Sequence, residues 1–469
     1  MMRPDSRLAR HVLLFGLPLV LGLACHSLFN LVDTLLVGQL PGGEGTASIA
    51  VTGLCDPITT FQTILFNGPI AGAGVLMARA VGARDEVELR RVAMRATGFV
   101  VALSLAISLP GYLFAREIAL AMGAQAGWQL QQCTSYLEIL LGGGVTAGMF
   151  LYLTTIERSL GRTAIFMAFF MLSNVLNLGI GVFLIYGTGP HPDFVPGFVG
   201  DIARALNVPR LGVIGSAWST FWARAIAGAL LLAISVARGP LRGAWHWLVP
   251  QGKAVLELTR IGLWNNGQIA ARGIAGGILI RTLQEAGGGN PAILGGIFVG
   301  LKIELVLILL AFGWGAAAQT LVATSLGAGR TDRARHEERL AILFATAIGT
   351  LLVVPLCLFA EQVSSLFNDD PALIEWSSNY LRLMAPALIV TPISIVISQA
   401  MVARNHLRTP VVVDSLVLLL GMAPALILVV MAGGGSTALI VINIVANLVL
   451  AAVYVGLRIR LLRRATAAT

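Results

Sequence analysis

The side chains that could do chemistry in this sequence are a few ionisable and amide groups inside long apolar runs. Asp33 lies in the first run, and Asn174 and Asn177 lie in the middle of the fifth. A carboxylate held away from water disfavours its charged form, so it can take up and release a proton as its access to water changes. A neighbouring amide can donate a hydrogen bond to it. These three residues are therefore candidates for binding and releasing an ion, and hydrogen bonding between helices is the structural alternative.

Further charges lie in other apolar runs and are candidates for lining a cavity. Glu138 lies in the fourth run, where its structural alternative is an ion pair with Arg224 of the sixth. Ionisable residues at membrane depth are costly, so they face a cavity or a partner. Glu138 is therefore a candidate cavity residue.

The second half of the chain carries mostly basic charge inside its apolar runs. Arg272 and Arg281 lie in the seventh run, and Lys302 and Glu304 lie in the eighth. Similar depth predicts a buried and mainly structural pair between Arg272 and Glu304. Lys302 and Glu304 are two residues apart and point to different faces of a helix. At least one basic side chain should therefore face the cavity or extend to the membrane surface.

Signatures of enzymes and of bound cofactors are missing from the sequence. There is no phosphate-binding Gly-rich loop followed by Lys, and His336-Glu337-Glu338 lacks a second His at the spacing of a zinc site. The four cysteines lie in or beside apolar runs without metal-ligand spacing, so we expect packing roles for them. We predict a protein that is not an enzyme and that has no cofactor or metal.

The elements that position these groups are membrane-spanning helices. Of the 469 residues, 57% are hydrophobic and only 12% are charged, against about 25% charged in soluble domains. The sequence therefore predicts an all-α polytopic membrane protein with twelve transmembrane helices. Runs long enough to cross a core of ~30 Å lie near 11–38, 47–82, 92–115, 129–157, 163–187, 211–236, 253–284, 292–327, 338–360, 373–403, 409–432 and 436–460.

Arginine placement predicts the orientation of the spans. Arginines gather in alternate loops, for example Arg90 and Arg91, Arg333 and Arg335, and Arg404 and Arg408. Positive charge accumulates on the cytoplasmic side, so both termini should be cytoplasmic in a multi-pass protein of the plasma (inner) membrane. The net charge of +9 is thereby explained by topology, and we expect no nucleic acid partner.

Short segments recur between the two halves of the chain. Gly82-Ala83 recurs as Gly327-Ala328, and Arg162-Thr163 recurs as Arg408-Thr409. Such symmetry is typical of transporters built from two related halves. We predict an N-terminal six-helix bundle over 1–236, a cytoplasmic linker over 237–252 and a C-terminal six-helix bundle over 253–469.

The chain resembles the multidrug and toxic compound extrusion (MATE) family of transporters. The resemblance rests on Gly16-Leu17-Pro18-Leu19, on Asn30-Leu31-Val32-Asp33-Thr34, on the glycines of the recurring segments and on the Asn-rich fifth span. It implies two bundles related by a pseudo-two-fold axis along the membrane normal, with Pro18 as a hinge of the first helix. It also implies that Asp33 takes the coupling ion and that Asn177 lies near it.

Two positions depart from the family pattern. Gly181 stands where the proton-linked branch has a second acid, and Arg272 lies near the place of the acid of the sodium-linked branch. The single acid Asp33 favours the proton-linked, DNA-damage-inducible branch. Asp33-Thr34-Leu35 aligns with Arg281-Thr282-Leu283 in the second half, so we expect ion coupling in the N-terminal bundle alone.

These observations favour a secondary active antiporter in the lipid bilayer, acting as a monomer. By resemblance it would export small organic compounds, cationic or amphiphilic, in exchange for H⁺, with Na⁺ as the alternative ion. A flippase or exporter of lipid-linked oligosaccharide or anionic lipid is the second hypothesis, because Arg272, Arg281 and Lys302 are basic. A third hypothesis is a partner subunit without transport activity.

Overall fold

The structure is a computed structural model that describes residues 6–41, 44–192, 195–249, 252–287, 291–367 and 370–467. It is helical throughout its regular elements. The helices are α1 Ser6–Gly38, α2 Glu44–Ala83, α3 Glu86–Leu113, α4 Ala115–Ala121, α5 Trp128–Gly142, α6 Gly144–Ser159, α7 Thr163–Tyr186, α8 Gly197–Ala205, α9 Val213–Arg238, α10 Gly252–Ala286, α11 Pro291–Gly327, α12 Thr331–Leu358, α13 Ala360–Ser365, α14 Pro371–Ala403, α15 Arg408–Asp414, α16 Ala423–Met431 and α17 Ser436–Ala467.

The predicted all-α architecture with twelve spans is confirmed. Among the described residues, ten helices are long and apolar enough to cross a membrane, and the pair α5–α6, bent by 43°, makes an eleventh. The remaining span is α10, which has 35 residues but carries several charges, including Arg272 and Arg281. Between α15 and α16 the chain continues as a π-helical segment, Ser415–Met422, so these pieces form one span.

Several helices begin before the apolar run that predicts them. The run near 92–115 belongs to α3, which begins at Glu86, and the run near 338–360 belongs to α12, which begins at Thr331. The added turns are polar and carry intrahelical ion pairs such as Arg91–Glu88 and Arg333–Glu337. Hydropathy cannot detect such turns, because they are helix that extends out of the hydrocarbon into water.

The chain divides into two compact units. The N-terminal unit comprises Cys25–Val81 and Asp85–Gly262, and the C-terminal unit comprises Met1–Ala24, Gly82–Arg84 and Leu263–Thr469. The helices α1 and α10 thus each contribute residues to both units. The predicted bounds at 236, 237–252 and 253 differ from this division and stay a prediction.

The C-terminal unit includes the first half of α1 because small residues allow close packing there. A Cβ at Gly16 would overlap the ring of Trp314, and one at Gly313 would lie 2.8 Å from the backbone of Val20. Both glycines therefore face the partner helix directly, as small residues do at interfaces between membrane helices. Pro18 lies inside α1, which remains helical on both sides of it.

In the N-terminal unit, two segments outside the spans pack onto the helices. The short helix α8 buries Val199 and Ala203, and Leu241 and Ala244 of the predicted linker are each 1% exposed. The guanidinium of Arg91 lies 5.8 Å from the ring centre of Trp247. This part of the linker therefore belongs to the N-terminal unit.

Candidate functional site

The carboxylate of Asp33 is held by a hydroxyl group from another span. Asp33 lies on α1 and is partly buried, and its Oδ2 accepts a hydrogen bond of 2.8 Å from Ser216 Oγ on α9. The side chain of Ser216 is 1% exposed. A hydroxyl donates one hydrogen bond, so the carboxylate retains most of its accepting capacity for a proton or a cation. The side chain of Asn30 lies outside the described residues.

Asn177 reaches the same helix one turn further along. Its Nδ2 donates a hydrogen bond of 3.2 Å to Thr220 Oγ1 on α9, and its side chain is 2% exposed. Ser216 and Thr220 are four residues apart and share one face of α9. That face therefore brings Asp33 of α1 and Asn177 of α7 together, although no hydrogen bond joins them directly.

One polar atom in this arrangement has no partner. The Oδ1 of Asn177 is buried and accepts no hydrogen bond among the described residues. An unpaired buried amide oxygen lowers the stability of the fold. A water molecule or an ion that binds to this oxygen can restore the lost free energy. The other amide, Asn174, is partly buried on α7 without a side-chain hydrogen bond in the described part of the chain.

Further charges surround Asp33. Asp56 of α2 and Arg224 of α9 are both close enough to interact electrostatically with its carboxylate, as is the buried Tyr136. The structural alternative for Glu138, an ion pair with Arg224, is not formed among the described residues, and Arg224 interacts electrostatically with Asp33. Asp56 is not among the predicted site residues, although its place inside an apolar run is the signal that singles out Asp33.

Gly181 lies where this face of α9 approaches α7 closely. A Cβ at Gly181 would lie 3.4 Å from Ser219 Oγ. That is an ordinary van der Waals distance, so the space beside Gly181 admits a Cβ.

The C-terminal unit holds a buried ion pair between α10 and α15. Arg272 Nε lies 2.6 Å from Asp414 Oδ2, and Asp414 is fully buried. Asp414 also accepts hydrogen bonds from Gln268 Nε2 at 3.0 Å and from the Tyr454 hydroxyl at 2.7 Å. The predicted pair of Arg272 with Glu304 is therefore wrong. The acid that neutralises Arg272 is Asp414, just before the π-helical segment.

Glu304 has a different partner. Its Oε2 accepts a hydrogen bond of 2.6 Å from the hydroxyl of Tyr380 on α14. Depth along the helix places Arg272 and Glu304 at similar levels, but it says nothing about the direction in which each side chain points. The rotation of each helix about its axis decides the pairing.

The remaining predicted charges are exposed. Arg281 is paired with Glu285 at 3.1 Å on the same helix, and its side chain is 81% exposed. Lys302 is exposed and has no ion pair within the described residues. The structure therefore separates the predicted cavity charges into a buried network around Arg272, a tyrosine-bound Glu304 and two exposed basic side chains.

Comparisons with known proteins agree with this architecture. The MatE family model matches residues 18–183 and 286–427, which is more than half of the chain. A FAD transporter of Shewanella oneidensis is 24% identical over 435 residues, which cover 90% of this chain and 88% of that protein.

Two further proteins are similar over nearly the whole chain. A probable multidrug resistance protein NorM of Caulobacter vibrioides is 26% identical over 464 residues, which cover 95% of this chain and 90% of that protein. Among solved structures, a MOP superfamily transporter from Pyrococcus furiosus has a TM-score of 0.84 at 19% identity and covers 97% of this chain and 96% of that one. At that identity, the structural likeness shows the fold alone.

Proposed function

This chain belongs to the MatE family of multi-pass membrane transporters, and on that premise we propose that it is a secondary active antiporter coupled to H⁺. It exports organic compounds, cationic or amphiphilic, by alternating access, and Na⁺ is the alternative coupling ion. We place it in the DNA-damage-inducible branch, as a monomer of the plasma (inner) membrane with both termini in the cytoplasm. Pro18 is the proposed hinge of α1.

The observation that supports this proposal most is the arrangement around Asp33. Its carboxylate has one neutral donor, Ser216 at 2.8 Å, and no ion pair in the described structure. A carboxylate locked in a salt bridge would be fixed in its charged form, whereas this one is free to alternate between two protonation states. Asn177 of α7 binds Thr220 on the adjacent turn of that face of α9, and its buried Oδ1 is unpaired within the described residues. This Oδ1 can accept a hydrogen bond from a water molecule that carries the proton.

The proposed cycle follows from charge. When Asp33 is charged, the unit carries a negative group at membrane depth that favours an organic cation. When Asp33 takes up a proton, that attraction is lost and the substrate is released. Proton and substrate therefore compete for one charge, and this competition couples their movements in opposite directions.

Inside-out membrane vesicles provide the test. An imposed proton gradient should drive uptake of ethidium by the wild-type protein, and Asp33→Asn should abolish it. The matched control is Asp201→Asn, which removes an acid of the same unit that is 72% exposed and paired with Arg204. Unchanged uptake in Asp33→Asn contradicts the coupling role, and uptake driven by a sodium gradient alone reassigns the ion.

A second candidate function is export of an anionic amphiphile or a lipid-linked oligosaccharide. Lys302 is an exposed cation within a membrane span, and the buried Nη2 atom of the partly buried Arg272 has no partner within the described residues. Both groups suit an anion, and a relative that matches most of this chain is named a FAD transporter. Lys302→Gln should then impair transport of an anionic substrate. If the wild-type protein exports the anionic substrate but does not export ethidium, that result favours this second function.

A further inference from the structure

A groove in the N-terminal unit carries an acid that the coupling site does not use. It lies where α5 and α6 meet at a bend of 43° and is walled by α3 and α9. Its volume is about 520 Å³, within the range of pockets for small organic molecules. Glu138 of α5 lines it together with Tyr112, Trp218 and Phe221.

Glycines at the bend allow aromatic rings to reach the helix backbone. A Cβ at Gly142 would lie 3.1 Å from the ring of Tyr112, and a Cβ at Gly143 would lie 2.5 Å from the ring of Phe221. Trp218 meets Phe221 edge-on, with ring centres 5.5 Å apart and an angle of 88°. The groove therefore has aromatic walls close to the broken helix.

Two residues that line this groove carry a polar group without a partner among the described residues. Glu138 is partly buried and makes no hydrogen bond or ion pair with any described residue. It lies ten residues after Trp128, the first residue of α5, which is about 15 Å along the helix. The hydroxyl of Ser108, in a residue only 3% exposed, is also unpaired. Charged groups at this depth are stable when they meet an opposite charge or water.

The chemistry of the lining selects the ligand. None of the groove-lining residues that the structure describes is basic. The counter-charge of the Glu138 carboxylate would therefore be a bound cation. The faces of Trp, Tyr and Phe attract organic cations through their ring quadrupoles. One carboxylate and one hydroxyl are too few oxygen ligands for a divalent metal ion.

The entrance of the groove suits a molecule that arrives from the bilayer. Leu105, Leu109 and Tyr112 line it at spacings of four and three residues on α3, and they are 53%, 59% and 50% exposed. This spacing forms one apolar stripe along a helix. The stripe can hold the apolar body of a ligand while its charged group reaches Glu138.

We propose that this groove is a binding site for amphiphilic organic cations dissolved in the membrane, separate from Asp33. Glu138 supplies the charge, the three aromatic rings supply the walls, and Ser108 orients a polar group of the ligand or a bridging water molecule. Binding in this groove does not depend on which ion drives transport.

Binding of tetraphenylphosphonium to purified protein in phosphatidylglycerol nanodiscs tests the proposal. All variants carry Asp33→Asn, so that the coupling site contributes no charge and the outcome is independent of the proposed function. Glu138→Gln should weaken binding about tenfold or more, which corresponds to about 1.4 kcal/mol. Trp218→Leu should weaken binding of tetraphenylphosphonium about threefold or more. This variant provides a second test if Glu138→Gln folds poorly.

The matched control is Glu117→Gln, which removes an exposed acid of α4 in the same unit. It should change affinity less than about twofold, because an exposed charge acts through screened solvent. Equal affinity in Glu138→Gln, or an equal loss in Glu117→Gln, overturns the proposal. Complete displacement of the probe by phosphatidylethanolamine would overturn it as well, since the groove would then belong to a lipid headgroup.

Discussion

Replacement of Asp414 by Asn is predicted to destabilise the C-terminal unit strongly. Asp414 is fully buried and accepts hydrogen bonds from Arg272, Gln268 and Tyr454 at 2.6, 3.0 and 2.7 Å. The variant keeps one acceptor oxygen but leaves the guanidinium of Arg272 without its counter-charge. Removing one partner of a buried ion pair costs about 3–5 kcal/mol, so we expect a loss of stability of that size.

The assay is equilibrium unfolding of the purified protein by SDS in mixed micelles, followed by tryptophan fluorescence. Arg281→Met is the matched control, because it breaks an ion pair on the same helix whose side chains are 81% and 50% exposed. It should cost about 0–1 kcal/mol. The double variant Arg272→Met/Asp414→Leu removes both charges and should recover most of the stability that Asp414→Asn loses.

Two outcomes would refute this reasoning. Stability of Asp414→Asn within about 1 kcal/mol of the wild type would mean that water solvates Arg272 or that another acid neutralises it. The losses of stability of Arg272→Met and of Asp414→Leu are measured separately for comparison. If the loss in the double variant equals their sum, the two side chains do not interact energetically.

Two further predictions concern packing and a second buried hydrogen bond. Gly82→Ala should lower folded yield sharply, since its Cβ would overlap the carbonyl of Thr324, whereas Gly53→Ala, with open space around its Cβ, should fold normally by size-exclusion chromatography. Tyr380→Phe removes the donor to Glu304 and should lower the free energy of unfolding by about 1.5–3 kcal/mol; an unchanged SDS midpoint would contradict it.

The membrane spans were accessible from sequence because lipid imposes a simple rule. A helix must hide its backbone polar groups over the whole hydrocarbon core, so every span leaves an apolar run of that length. The predicted run 163–187 and the helix Thr163–Tyr186 therefore nearly coincide. The start of α12 at Thr331 could not be predicted in this way, because helical turns outside the hydrocarbon core are polar and do not belong to the apolar run.

The candidate site was accessible only in part. Asp33 stands out as an acid inside an apolar run, but its partner Ser216 is a small hydroxyl that many membrane helices carry. The pairing of Arg272 with Asp414 depends on helix rotation and on the π-helical segment that follows. Those features come from tertiary packing, which depth along the chain does not encode.

Proton release upon substrate binding tests the central claim most directly. Purified wild-type protein in weakly buffered detergent solution should release up to about one proton per chain when ethidium binds, because substrate and proton compete for one carboxylate. Asp33→Asn should bind ethidium without releasing a proton, and Asp201→Asn should behave as the wild type. Equal release in Asp33→Asn, or none in the wild type at any pH, would contradict coupling through Asp33.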